Sequence, residues 1–479
     1  MNNEEKSNGM MQARVPVEHP MLVMASMLIG AFVGMFSETS LNIALPQLMD
    51  NLHVTTGTIQ WLVTGYMLVI GVVLPFSSLI SKWFTTRQII IFGLLAFIVG
   101  SVISALSSTF ALLLIGRMIQ GIATGLILPM MFTVAMLVFP PYKLGAAMGM
   151  CALVIMFAPA IGPTLTGIIL AKLSWNWIFW MFVPFLAIAL LLAIFGLKDV
   201  GELTKPKVDV ISLIESIIGF ASIVTGVSFA SEKGWGSPIV LGILALGIIV
   251  LAFYVKRQLS LAEPVLNLKI FAIPAFRTGA ILVMLDFGII LSAMYLLPMY
   301  IQKGLLLPVA LTGIIMLPGG VINAAVSAVA GRLYDKIGAK APIRIGLVVA
   351  LIGAIMLVCT TVNTSIAYLI IAHVILMIGC PLAMSPAQTY ALNSLEGPQS
   401  GDGSTIMNTM QQIVGAIATA LATSLLGIGQ VAYQNHFGKG HLNAAFTNGT
   451  HYGFYFTIAL IIVGLILSFS VKSNKKVAK

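Results

Sequence analysis

The stretch GRLYDKIGAK, residues 331–340, carries four charges in ten residues (Arg332, Asp335, Lys336 and Lys340). It lies between two apolar runs, LTGIIMLPGGVINAAVSAVA before it and IGLVVALIGAIMLV shortly after. The surrounding chain of 479 residues is 59% hydrophobic and only 8% charged, with a mean hydropathy of +1.04. Soluble domains carry roughly 25% charged residues and need them to cover their surface. A chain this apolar finds its solvent in lipid, where each run of about 20 apolar residues crosses as a helix because its backbone groups must bond internally.

Hydropathy predicts fourteen spans, near 22–45, 58–80, 88–107, 110–138, 145–171, 177–197, 210–230, 237–255, 277–301, 308–330, 342–362, 365–390, 403–428 and 452–471. The fold class expected is an all-α polytopic membrane protein. The longest connections, about 198–209, 256–276 and 429–451, are too short for a separate soluble domain. Of the 25 Lys and Arg, only Lys172, Lys233, Lys303 and Lys439 fall in odd-to-even loops on one side, Arg117 falls within a span, and the other twenty fall on the opposite side with the termini. Lys and Arg collect on the cytoplasmic side, so both termini are expected inside and the span number even. The net charge of +10 is largely this topology signal. A nucleic-acid partner would require the basic residues on one folded face, and they are scattered over short loops. The polar N-terminus, MNNEEKSNGMMQARVPVEHP, reads as a cytoplasmic tail, since no basic segment runs directly into a short apolar core. Cys151, Cys359 and Cys380 sit in apolar runs with no Cys-x-x-Cys spacing, and read as packing residues, with neither metal nor disulfide implied.

Within GRLYDKIGAK, Gly331 permits close helix approach, Asp335 can pair with Arg332 or Lys336, and Gly338 allows a tight turn. A weaker copy, SSLISKWFTTRQ, lies between spans two and three, with Leu79, Lys82 and Arg87 in corresponding places. One loop repeated in two halves implies an internal repeat, a common transporter design that works by rocking about a midplane site.

Ionisable side chains inside spans cost about 2.5–3.5 kcal/mol at the centre and call for a reason. Glu38, Arg117 and Asp286 are the foremost, with Glu215 and His373 beside them. Glu38, partly desolvated in span one, could take up and release protons near physiological pH, or be satisfied structurally by Thr39, Asn42 or a neighbouring helix. Asp286 could hold a proton or a substrate cation, or make a buried structural hydrogen bond. Arg117, Gln120 and Gly121 share one helix face by their i, i+3 and i+4 spacing, and Arg117 keeps its charge at any relevant pH; the alternative is an arginine that only locks packing. Gly121 and Gly125 read as a packing face. Glu215 reads as interfacial and His373 as a satisfied core histidine. Pro163 kinks its helix and Gly162 lets a neighbour approach, giving a bent seam. No Gly-rich loop with Lys and Ser/Thr cradles a phosphate, so ATP-driven transport has no support.

Taken in order, several segments resemble the major facilitator superfamily, and within it the fourteen-helix drug/proton antiporter family of multidrug or lincomycin-type efflux. The resemblance covers essentially the whole chain. GRLYDKIGAK resembles the family's loop motif; in the first copy Ser81 and Thr85 stand where Asp and Gly are usual. SETSLNIALPQLMDNL (37–52) resembles the end of the first helix, with Glu38 for the usual Asp. GRMIQGIATG (116–125) resembles the fourth-helix motif and GMCALVIMFAPAIGPTLTG (149–167) the antiporter motif of the fifth. WNWIFWMFVP (175–184) is similar to the sixth-helix start, with Asn176 for the usual Arg, and GDGSTIMNTMQQIVGAIATAL (401–421) resembles the thirteenth span.

The resemblance implies a major-facilitator fold: a tail at 1–20, a six-helix bundle at 21–198, two inserted helices at 199–258, a second six-helix bundle at 259–471 and a tail at 472–479. It implies a proton-coupled exporter of small hydrophobic or amphipathic compounds in the plasma membrane, not an enzyme. A small-molecule substrate, protons and the lipid bilayer are the partners implied, with no cofactor beyond the proton gradient and a monomer expected. Glu38, Asp286, Arg117 and Gln120 are the expected coupling or substrate residues, and Gly162, Pro163, Gly331, Arg332, Asp335 and Lys336 the conformational ones. Alternatives on the same fold are an exporter of an endogenous metabolite, lipid or signalling molecule, or a non-transporting sensor. A membrane-embedded enzyme would want clustered His, Asp or Ser groups near a membrane face, which the sequence lacks.

Overall fold

The computed structural model describes residues 20–139, 141–197, 209–261, 264–395, 399–438 and 440–471. The expected terminal tails, most of the 198–209 connection and the side chain of Lys143 lie outside the described residues. Among the described residues no strand forms, and fourteen helices are long and apolar enough to cross a membrane. They are α1 (Pro20–Leu52), α2 (Trp61–Trp83), α3 (Thr86–Ala105), α4 (Phe110–Val138), α5 (Pro141–Lys172), α6 (Phe182–Gly196, which spans together with the short helix Asn176–Trp180 before it) and α7 (Val210–Lys233). The second seven are α8 (Pro238–Ser260), α9 (Pro274–Met299), α10 (Val309–Ile337), α11 (Lys340–Val358), α12 (Ile366–Leu392), α13 (Gln399–Phe437) and α14 (Leu442–Ser468).

Local chemistry sets the ends. Thr85 opens α3 with a full capping box: its hydroxyl accepts from Gln88 N at 3.3 Å and its own N–H donates to Gln88 Oε1 at 3.1 Å. The Thr at the family's Gly position therefore has work of its own. Gly338, at φ +76°, ends α10 and gives the tight turn that the sequence predicts. Several helices outrun their expected spans, α1 to Leu52 and α10 to Ile337 among them. The 429–451 connection is helical except around 438–441, because α13 and α14 extend past their apolar cores. Hydropathy sees only the part of a helix that lipid must solvate; residues such as Gln430 and Gln434 suit helix in water equally well.

Within α1–α6, α1 packs on α4, α5 and α6, α2 on α4, and α3 on α4 and α6. Within α9–α14, α9 packs on α12, α13 and α14, α10 on α12, and α11 on α12 and α14. The two sets meet chiefly along α5–α10 and α2–α13. α7 and α8 pair with each other, and α7 also lies on α2 and α13. Gln60 donates to Ser228 of α7 at 3.1 Å, and Trp235 donates to Ser424 of α13 at 3.0 Å, so the pair is tied to both sets. At the opposite end of this pair Arg257 forks onto Asp209, two bonds of 2.8 Å. That fork holds the Asp209 carboxyl down at about 2.

Short connections make successive helices antiparallel, so Asp50, Lys303 and Gly313 share one end of the bundle. The two sets are joined there. Lys303 Nζ meets Asp50 Oδ2 at 2.6 Å, Gln302 donates to Ile43 O at 2.9 Å, and Thr164 donates to Gly313 O at 3.0 Å.

Candidate functional site

Arg117 sits two turns into α4 and is fully buried. A guanidinium in that position must have its donors occupied. Its Nε donates to Leu62 O at 3.1 Å, one terminal nitrogen to Ser37 Oγ at 2.5 Å and Gln120 Oε1 at 2.9 Å, and the other to Ser37 O at 3.3 Å. The Tyr66 ring lies beneath it, 4.0 Å from Cζ to centroid. Gln120 then donates to Ser101 at 2.9 Å. The Tyr66 hydroxyl is engaged with Gly34 O at 2.8 Å and Thr124 Oγ1 at 2.7 Å. The i, i+3 face read from the sequence thus becomes a network joining α1, α2, α3 and α4. Gly121 backs onto Tyr66 O of α2, as a packing glycine.

Two of Arg117's bonds grip α1 at Ser37, the residue before Glu38. Glu38 is 2% exposed, and Arg117 is the cation that acts on it. Gln412 of α13 hydrogen-bonds its carboxyl, and Oε2 has no partner. The carboxyl therefore lies between the two sets of helices, with Arg117 on one side and Gln412 on the other.

The α5 seam begins one residue further on. Proline at 163 has no N–H to give to the carbonyl four residues back. That carbonyl, Pro159 O, accepts from Thr39 Oγ1 at 3.3 Å. A Cβ at Gly162 would overlap Thr39 Oγ1, so glycine is what lets α1 and α5 close here. On its other side α5 meets α10 backbone to backbone: a Cβ at Gly320 would stand 2.7 Å from Ala160 O, and one at Gly313 would stand 2.9 Å from Pro163 O.

Asp286 lies on α9 and is 1% exposed. The Cys380 thiol of α12 is the polar group near it, and neither carboxylate oxygen has a hydrogen-bond partner among the described residues. Glu38 and Asp286 are thus held in separate environments, one in each set of helices. His373 departs from the expectation of a satisfied core histidine. It is 2% exposed and neither ring nitrogen has a partner. Glu215 is half-buried on α7, close to Tyr254 and Arg257.

Arg332, Asp335 and Lys336, expected in a loop, lie instead in the last two turns of α10, which continues to Ile337 past its apolar run; they are exposed, and among the described residues none of them is in an ion pair. The pairing of Asp335 with Arg332 or Lys336 is not made in this form. Nor does Gly331 stand at a close approach: a Cβ there would meet only Ser385 Oγ, at 3.8 Å. The link at this end is Asn393 donating to Tyr334 OH at 3.3 Å, between the ends of α12 and α10. In the first copy of the loop Arg87 donates to Ile194 O at 2.8 Å. Asn176, which stands where Arg is usual, donates to Ala105 O at 2.7 Å.

Sequence reasoning missed Gln412, Tyr66 and the Thr39–Pro159 bond. Thr39 had a signal, its place in the first-helix motif. Gln412 had none, because its partner lies 374 residues away.

Residues 27–419 match the family profile of the Major Facilitator Superfamily. The chain is 44% identical over 459 residues to the lincomycin resistance protein LmrB of Listeria innocua, covering 95% of this chain and 98% of that protein. It is 45% identical over 461 residues to the lincomycin resistance protein LmrB of Bacillus subtilis, covering 95% and 96%. Among solved structures, a POT family transporter in complex with 5-aminolevulinic acid superposes with a TM-score of 0.67 over 95% of this chain and 97% of that one. At 17% sequence identity that likeness concerns the fold alone.

Proposed function

The chain belongs to the major facilitator superfamily and is a multi-pass membrane transporter of small molecules rather than an enzyme; on that premise we propose that it is a proton-coupled exporter of amphipathic compounds. Its cargo includes drugs of the lincomycin type, the activity named for its relatives. It works in the plasma membrane as a monomer with both termini cytoplasmic. Residues 21–198 and 259–471 form the two rocking bundles, and 199–258 the inserted pair. The twenty-to-four bias of basic residues supports that orientation.

The observation that carries the reading is the position of Glu38. It is a buried carboxyl beside a fixed cation, bonded across the bundle interface to Gln412, and next in sequence to the residue that fills the α5 kink. As a carboxylate it accepts from Gln412; once protonated it has a hydroxyl to donate and loses its charge toward Arg117. A proton arriving there changes the attraction between α1, α4 and α13, and Thr39 carries the change to α5. The α5–α10 seam opens on the outer side, where substrate leaves and a proton from outside takes its place on Glu38; the protonated form closes the seam again and the proton is released inward. Asp286 is the second carboxyl that can serve as proton or cation site. Gly331, Arg332, Asp335 and Lys336, at the end of α10, form a latch made in the opposite state of the cycle.

The test is proton movement in inverted vesicles, prepared from cells with and without the protein. Addition of lincomycin to energised vesicles should release protons from the lumen only where the protein is present. Equal signals in both preparations would reject proton-coupled export.

A further inference from the structure

α5, α9, α10 and α12 line a partly open cavity of about 70 Å³ at the seam between the two sets of helices. Pro159, Ala160 and Pro163 wall it from α5, so the kinked segment forms one of its sides. Met294, Met316 and Met377 give it a soft apolar lining. Two polar side chains face it, Asn323 and His373. The Asn323 amide has only a long contact to Met377 Sδ, at 3.5 Å, and both His373 nitrogens are unpartnered although the ring is 2% exposed. A Cβ at Gly319 would overlap the imidazole, so the ring is seated in a notch made by the absence of a side chain on α10.

A buried donor–acceptor group without a partner costs about 1–3 kcal/mol. Here one such group, His373, and the half-buried Asn323 amide with its single long contact converge on one space at the α5–α10 seam. We propose that His373 and Asn323 anchor the polar group of an uncharged or weakly basic amphipathic substrate, one that presents an amide or hydroxyl on an apolar body, while the three methionines adapt to that body. The cavity holds one functional group in this closed form; a drug-sized ligand needs roughly 300–1,000 Å³, so the remainder enters as the α5–α10 seam parts. The assignment rests on the export reading for the identity of the cargo, though not for the location of the site.

Two probes separate the anchor from general greasiness. Lincomycin carries an amide and several hydroxyls; tetraphenylphosphonium is a hydrophobic cation that makes no hydrogen bonds. Binding of each is measured on the purified full-length protein. His373→Phe keeps a ring in the notch and removes both nitrogens, and Asn323→Leu keeps the volume and removes the amide. Each should weaken lincomycin binding at least about tenfold, the loss of one good hydrogen-bonded anchor, with tetraphenylphosphonium binding within twofold of wild type. Unchanged lincomycin affinity in both variants overturns the site, as does an equal loss of both probes or a wild-type protein that binds no lincomycin. A wild-type protein that binds lincomycin through these nitrogens, yet moves none against a pH gradient, would keep the site and overturn the export reading.

Discussion

Replacing Gly320 by alanine adds one methyl group where the structure has no room for it. The new Cβ would lie 2.7 Å from Ala160 O and 3.2 Å from Ala160 Cα, both backbone atoms of α5 that no rotamer change can move. The seam must widen or the closed form must bear the strain. Overpacking by a methylene or methyl costs about 1–3 kcal/mol, and about 1.4 kcal/mol is tenfold in an equilibrium constant. The closed form should therefore lose roughly 5- to 150-fold against a form with the seam parted. The assay is cross-linking at the neighbouring closure. Asp50 and Lys303, whose side chains meet at 2.6 Å, are both changed to Cys in a chain lacking Cys151, Cys359 and Cys380. Wild-type Gly320 should give near-complete reaction with a short bifunctional thiol reagent. Gly320→Ala should cut the initial rate at least about fivefold, and substrate turnover should change with it. An unchanged cross-linking rate would mean that α5 and α10 do not separate when the 50/303 end opens, and the seam would lose its place in the cycle.

Other perturbations have smaller or more local consequences. Lys303→Gln removes an ion pair in which Asp50 is 64% exposed; exposed pairs contribute about 0–1 kcal/mol, so the same cross-linking equilibrium measured between other positions should shift by fivefold at most, and the shift should vanish at high salt. Asp335→Asn should slow export by about tenfold, or ~1.4 kcal/mol in the barrier, with normal membrane abundance and substrate binding; full export rates would reject the latch. Asp209 titrates near 2 in the folded chain because of the Arg257 fork, below its ordinary 3.8. The folded pKa is depressed, so its contribution is whole above about pH 4 and is lost as pH falls through about 2. The protection factor against hydrogen exchange in the first turn of α7 should therefore hold steady to about pH 4 and fall below it; a fall already near pH 5 would contradict the pairing.

The spans were legible because lipid imposes one requirement, apolar length, and fourteen runs meet it. The Arg117–Gln120 bond was legible because helical spacing alone places the two side chains together. What the sequence hid follows from distance and from geometry. Gln412 reaches Glu38 only because α13 folds back against the first six helices, and no local pattern records that. Thr39 bonds a carbonyl that is free only because Pro163 follows four residues later, which requires α1 and α5 to touch. His373 read as an ordinary core residue because most buried histidines find partners; the ring without one became visible only when its neighbours proved to be methionines, a glycine and a cavity. The polar residues that end α13 and α14 looked like loop for the opposite reason, since helix outside the membrane leaves no apolar signature.

Glu38 and Asp286 carry the account of coupling. The most direct measurement is export against an imposed pH gradient, in vesicles, for Glu38→Gln, Asp286→Asn and the double variant. Glu38→Gln preserves shape and hydrogen bonding toward Gln412 but cannot exchange a proton. Binding of neutral substrate should survive in all three, and Glu38→Asp, the residue usual in the family, should keep part of the activity. Gradient-driven export should fall steeply in Glu38→Gln, or in Asp286→Asn if the proton is carried there, and should be abolished in the double variant. A double variant that exports with an undiminished response to the gradient would contradict the assignment of the proton to either carboxyl.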